Sequence, residues 1–106
     1  MSEQKKTRLQ MLEEAVARNP REVFARYALA MECLQAGDHA TAESHFKLLL
    51  EANPEYVPGY QMYGQMLSGD GRNDEAKRLL AAGIAAATKS GTQHARSEME
   101  ALLAEL

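Results

Sequence analysis

Few residues in this chain have the chemistry to catalyse, and none stands in a pattern that would let it. Cys33 is the single cysteine. A thiol becomes a nucleophile when a neighbouring base or cation draws off its proton, and Cys33 has no His or other base beside it in the sequence. With no second Cys, no CxxC and no Cys/His cluster, it frames neither a disulfide nor a zinc site. His39, His45 and His94 do not fall at metal-ligand spacing, and no acid completes a four-ligand set. Glu98, Glu100 and Glu105 near the C-terminus lack the apolar surroundings that raise one carboxyl of an acid pair, and read as a solvated face. Gly69-Asp70-Gly71 has neither the preceding strand nor the following Gly-Lys-Ser/Thr of a phosphate loop. These residues imply no catalysis, no metal and no cofactor. Arg26 stands out within an apolar stretch. It could anchor an acidic group of a partner, or bury its stem while its head reaches a Glu or water.

The elements that would position these side chains are helical. Lys6 to Arg18 carries Leu9, Leu12, Ala15 and Val16 at helical spacing, and Asn19-Pro20 ends it. A second pattern, about Glu22 to Ala36, has apolar residues on two adjoining faces and predicts a sandwiched helix. Gly37 supplies a left-handed stop, and Asp38 can cap a third helix over about His39 to Ala52. Pro58 suits the first turn of a fourth helix, which runs to Ser68 before Gly69-Asp70-Gly71. Asn73 is the expected cap of a fifth helix reaching about Thr88, and Ser90-Gly91 precedes a sixth over about Thr92 to Glu105.

Composition bounds the rest. With 106 residues, 45% of them apolar and 25% charged, the chain is expected to fold as one domain of ordinary size. A formal charge of -3 with interleaved Lys, Arg and Glu offers no basic patch for nucleic acid. The polar opening Met1 to Arg8 and the lack of a long apolar run predict no signal core and no membrane partner, with the cytoplasm as default compartment. No Trp, many Ala and six Met point to closely approaching helices and adaptable apolar surface.

The helices also repeat. Asn19-Pro20 returns as Asn53-Pro54, and the same 34-residue step links Val23 to Val57, Gly37 to Gly71, Ala42 to Ala76 and Ala52 to Ala86. A fixed period of this length marks stacked helix pairs, each burying its apolar face on its neighbours. With Tyr60, Tyr63-Gly64, Leu67, Ala76, Leu80 and Gly83 in the second unit, and Leu29-Ala30, Cys33, Ala42, Phe46 and Pro54 in the first, the chain resembles the tetratricopeptide repeat family. It departs at Arg26, where a large hydrophobic is expected, at Leu49, where a small residue is expected, and at Thr88, in place of the closing Pro. Packing of the first repeat is therefore expected to be looser or rearranged. Before it, Leu12, Ala15 and Pro20 sit in phase with a second helix; after Gly91 the phase slips by one residue, so Ala95, Met99 and Leu102 follow Tyr60, Gly64 and Leu67. The implied architecture is all-α, a single repeat domain over 1–106. It comprises a half repeat at 6–20, repeats at about 21–54 and 55–88, and a capping helix at about 92–105.

What the resemblance implies is a non-catalytic module that binds a peptide or helix of a protein partner in a concave groove. The family's groove positions fall on Phe24, Tyr27, Met31, Leu34 and Gln35, and on Gln61, Met62 and Gln65. Phe, Tyr, Met and Leu give large, adaptable contact area. Members that clamp a terminal carboxylate use Lys, Asn and Arg where this chain has Tyr27, Met31 and Met62, so charge-assisted clamping is not expected. Two other fates for the stripe stay open: coverage by the N-terminal helix, or pairing with another copy. Self-association as a homodimer would draw on the Leu-rich terminal helices, with Leu9 and Leu12 at one end and Met99, Leu102, Leu103 and Leu106 at the other.

Overall fold

A computed structural model of the chain describes residues 5–106. Met1 to Gln4, half of the polar opening, lie outside the described residues. Among those described, the regular structure is six α-helices: α1 Arg8–Arg18, α2 Val23–Gln35, α3 His39–Ala52, α4 Val57–Gly69, α5 Asn73–Ser90 and α6 Gln93–Ala104. Among the described residues no helix is long and apolar enough to cross a membrane. The chain divides into two compact units, residues 1–49 and 50–106.

In the first unit α1 packs on α2. Val16, Leu29, Ala30, Cys33, Ala42, Phe46 and Leu49 are buried there, the last in the place where the family pattern has a small residue. In the second, α4 packs on α5, and α6 meets both. Its core is Val57, Leu80, Ala87 and Met99, with Tyr60, Ile84 and Ala95 packed around them. Two glycines set the spacing of these helices. A Cβ on Gly64 would lie 2.6 Å from Leu80 Cδ2, and one on Gly83 would lie 2.6 Å from Tyr60 Cβ and 2.7 Å from Met99 Sδ. Helices that close need glycine at the crossing, because a methyl group has no free volume to enter.

The helix ends follow one grammar with exchanged chemistry. Gly37, Gly71 and Gly91 take positive φ of 82°, 77° and 74° after α2, α4 and α5. Each is followed by an amide that reaches back to the last turn: Asp38 N to Cys33 O at 2.9 Å, Arg72 N to Leu67 O at 2.9 Å, and Thr92 N to Ala87 O at 2.9 Å. This is the left-handed closure that glycine makes without steric penalty. At the starts, Thr7 and Gln10 form a reciprocal capping box on α1, and the Glu22 carboxylate accepts from the amides of Phe24 and Ala25. One repeat on from Phe24 stands Pro58, in the first turn of α4, with no N–H to satisfy.

Asp38 Oδ1 accepts the Thr41 amide at 3.2 Å, as its cap role requires. Asn73 does not cap α5; it is the first helical residue, and Arg72 holds the cap position without a side-chain acceptor. Arg72 instead donates to the Glu75 carboxylate at 3.1 and 2.6 Å. Position decides this: Arg72 and Glu75 lie one repeat after Asp38 and Thr41, so the same two sites meet, with an ion pair in place of the carboxylate-to-amide cap. Thr88 lacks the ring that stops a helix, and its hydroxyl donates to Ile84 O at 2.8 Å. Hence α5 runs on to Ser90 and ends at Gly91.

Candidate functional site

The apolar stripe of α2 opens onto a groove of about 650 Å³ in the first unit, lined by Arg8, Phe24, Tyr27, Ala28, Met31, Glu32 and Gln35. It spans nearly the whole of α2, because residues three and four apart share one helix face. Phe24 is 71% exposed, an unusual degree for a large apolar side chain. Tyr27 and Met31 are half-buried beside it, and Gln35 is exposed at the far end. Of the positions read from the sequence, the groove thus gathers Phe24, Tyr27, Met31 and Gln35. Leu34 is half-buried on the same helix outside this lining.

Arg8 and Glu32 were not anticipated. They form an ion pair between the first turn of α1 and the last turns of α2. Consecutive helices joined by a short turn run antiparallel, so the start of one lies near the end of the next; opposite charges at those ends were the available signal. The pair places Arg8, at the start of α1, on one wall of the groove, and Phe24 stays exposed.

On α4, in the second unit, Gln61 and Met62 are half-buried and Gln65 is exposed. This unit also has a recess of about 240 Å³ lined by Tyr63, Leu67, Glu75, Arg78, Leu79 and Ala82, which the sequence did not suggest. Leu102, Leu103 and Leu106 pack on the core of their own unit and keep part of their surface in solvent. Leu9 and Met11 on α1 and Leu48 on α3 remain exposed.

Arg26 is 8% exposed, and among the described residues its head pairs with no carboxylate. Nη2 donates to the Pro20 carbonyl at 3.1 Å, and Nη1 lies 3.1 Å from His45 Nδ1; Nε is buried without a partner. Guanidinium has no lone pair to offer, so His45 Nδ1 must accept and its proton sits on Nε2. Burial, then the charge of Arg26, pushes the His45 pKa down, with Glu13 opposing. One repeat later the Tyr60 hydroxyl donates to the Pro54 carbonyl at 2.7 Å. Arg26 therefore stands in for the aromatic of the repeat pattern: its stem fills the space, and its head takes the equivalent carbonyl. The rearrangement expected of the first repeat is this exchange.

Cys33 is buried, and burial first, then Asp38, Glu13 and Glu32, raise its thiol pKa. That is opposite to what activates a nucleophile. His94 pairs with Glu98 at 2.9 Å and Arg96 with Glu100 at 3.4 Å on the exposed side of α6. Among the described residues no three His, Cys, Asp or Glu side chains converge to hold a metal.

The sequence pattern of a tetratricopeptide repeat family matches residues 33–106. A TPR repeat-containing protein of Pseudomonas aeruginosa is 28% identical over 95 residues, covering 90% of each chain. A tetratricopeptide repeat domain protein from Salinibacter ruber, solved by NMR, is 34% identical with a TM-score of 0.76, covering 82% of this chain and 88% of that one. In its crystal structure the TM-score is 0.74, covering 79% and 93%. A Bordetella parapertussis protein shares the fold at 23% identity, with a TM-score of 0.80 over 95% of this chain and 88% of that one. By pattern, relatives and fold, this chain belongs to the tetratricopeptide repeat family.

Proposed function

We propose that this chain is a non-catalytic module that holds a helix or extended peptide of another protein against the α2 groove. Tetratricopeptide repeats are generally modules of protein–protein interaction, and the finer reading rests on one observation. Phe24, 71% exposed, stands beside half-buried Tyr27 and Met31 around an open groove. Aromatic and Met side chains grouped at a groove supply the adaptable apolar anchors that a peptide face needs. No Lys or Asn stands among the lining residues, and Arg8 is engaged by Glu32. The groove therefore suits apolar side chains better than a free carboxylate.

A photo-crosslinking side chain introduced at position 24, and separately at Leu48 as an exposed apolar control, tests this in native lysate. A protein captured from position 24 and not from position 48, and competed away by unlabelled chain, supports the groove. Equal capture from both positions, or none, refutes it. Association of copies through Leu102, Leu103 and Leu106 has less to draw on, since these side chains are already packed on their own unit.

A further inference from the structure

Arg26 is a buried cation without a carboxylate partner among the described residues, tied to a neutral imidazole on α3 and a carbonyl in the turn between α1 and α2. We propose that this contact is an acid-released latch on α1: a proton on His45 Nδ1 breaks it, frees the guanidinium from the turn and loosens α1 from α2. The proton does two things at once. It converts the one side-chain acceptor of Nη1 among the described residues into a donor, and it puts a second positive charge about 3.1 Å from the first. Arg26 cannot yield its own proton, so relief requires its head to move. Its Nε already lacks a partner, which leaves the carbonyl of Pro20 as the remaining hold.

The groups facing His45 come from both neighbouring helices. From α2, Arg26 opposes protonation; from α1, Glu13 favours it, and burial with Arg26 outweighs it. In the released state His45 titrates near its ordinary value of about 6.5. Release therefore becomes easier as the pH falls below about 6.5, and above that value the latch stays closed. Because α1 carries Arg8, a wall of the α2 groove moves with it. The latch stands independently of what occupies that groove.

Backbone amide exchange on the full chain at pH 7.5 and 5.5, corrected for intrinsic rates, is the test. Opening linked to one such proton increases at most about tenfold between these pH values. The α1 amides from Leu12 to Arg18 are expected to lose protection by up to that factor, while those of α5 keep theirs. In His45→Gln, whose carbonyl can accept from Arg26 but cannot take a proton at these pH values, the α1 response is expected to vanish. Unchanged α1 protection in the wild type, or an equal acid response in His45→Gln, overturns the proposal. Should that variant fold poorly, the wild-type His45 ring titration followed by NMR decides: a midpoint at or above 6.5 refutes the latch, and a lower one supports it.

Discussion

Gly83→Ala tests the closest helix crossing in the second unit. The added Cβ would sit 2.6 Å from Tyr60 Cβ, 2.7 Å from Met99 Sδ and 3.3 Å from Tyr60 Cγ, whereas ordinary contact begins at 3.4 Å. Tyr60 Cβ is fixed to the α4 backbone and cannot swing aside. Met99, 1% exposed, is enclosed by its unit and cannot turn out into solvent without leaving the core. So α4 and α5 must part by most of an ångström, and the Met99 side chain must repack. Overpacking of this kind costs about 1–3 kcal/mol. Replacing a mid-helix glycine by alanine returns up to about 1 kcal/mol of helix propensity. The net loss is about 0–3 kcal/mol, which lowers Tm by up to roughly 24 °C in a domain of this size, and relative to a glycine-to-alanine change without a clash the deficit is about 1–3 kcal/mol. Gly69→Ala is the matched control, since nothing lies within 4 Å of its Cβ and its φ is not positive; it should be neutral or slightly stabilising. Urea unfolding followed by far-UV circular dichroism measures both. A Gly83→Ala protein as stable as Gly69→Ala would show that α4, α5 and α6 do not meet this closely.

Other outcomes follow from the same contacts. Phe24→Ala and Met31→Ala are expected to change stability by less than about 1 kcal/mol and to weaken capture of a groove ligand by roughly five- to thirtyfold; a loss of helicity would instead make these residues core. Arg26→Ala removes the stem and both head contacts and should cost about 2 kcal/mol or more in thermal or urea unfolding. Arg26→Tyr, which restores the repeat's aromatic and a hydroxyl for the Pro20 carbonyl, should cost clearly less; equal losses would refute the equivalence with Tyr60. The folded state binds fewer protons at His45 than the unfolded state, so urea-unfolding stability of the wild type should decline as pH falls from 6.5, and this share of the decline should disappear in His45→Gln. Native Cys33 should react with a thiol reagent at pH 8 far more slowly than the urea-unfolded chain, because its thiol is buried and its pKa raised.

The family, the six helices and their order were legible in the sequence. Helix starts and stops are local events: Gly37, Gly71 and Gly91 supply positive φ, and Pro58 needs no amide partner. The 34-residue period carries small residues at Ala42 and Ala76, both fully buried, and Gly64 and Gly83 sit where helix axes nearly touch. Spacing encodes such features because a helix face and a repeat step are fixed translations along the chain. The stripe of α2 was legible for the same reason, as far as which residues share a face.

Tertiary structure alone decided where the long side chains end. Arg8 reaches Glu32 across 24 residues and so walls the groove. Arg26 found Pro20 and His45, and Arg72 took the cap position assigned to Asn73. Leu102, Leu103 and Leu106 lie against their own unit's core and keep part of their surface in solvent. The physical reason is common to all of these. Backbone geometry repeats with the sequence, but a charged or long side chain settles by competition among partners that only the packed helices bring within reach.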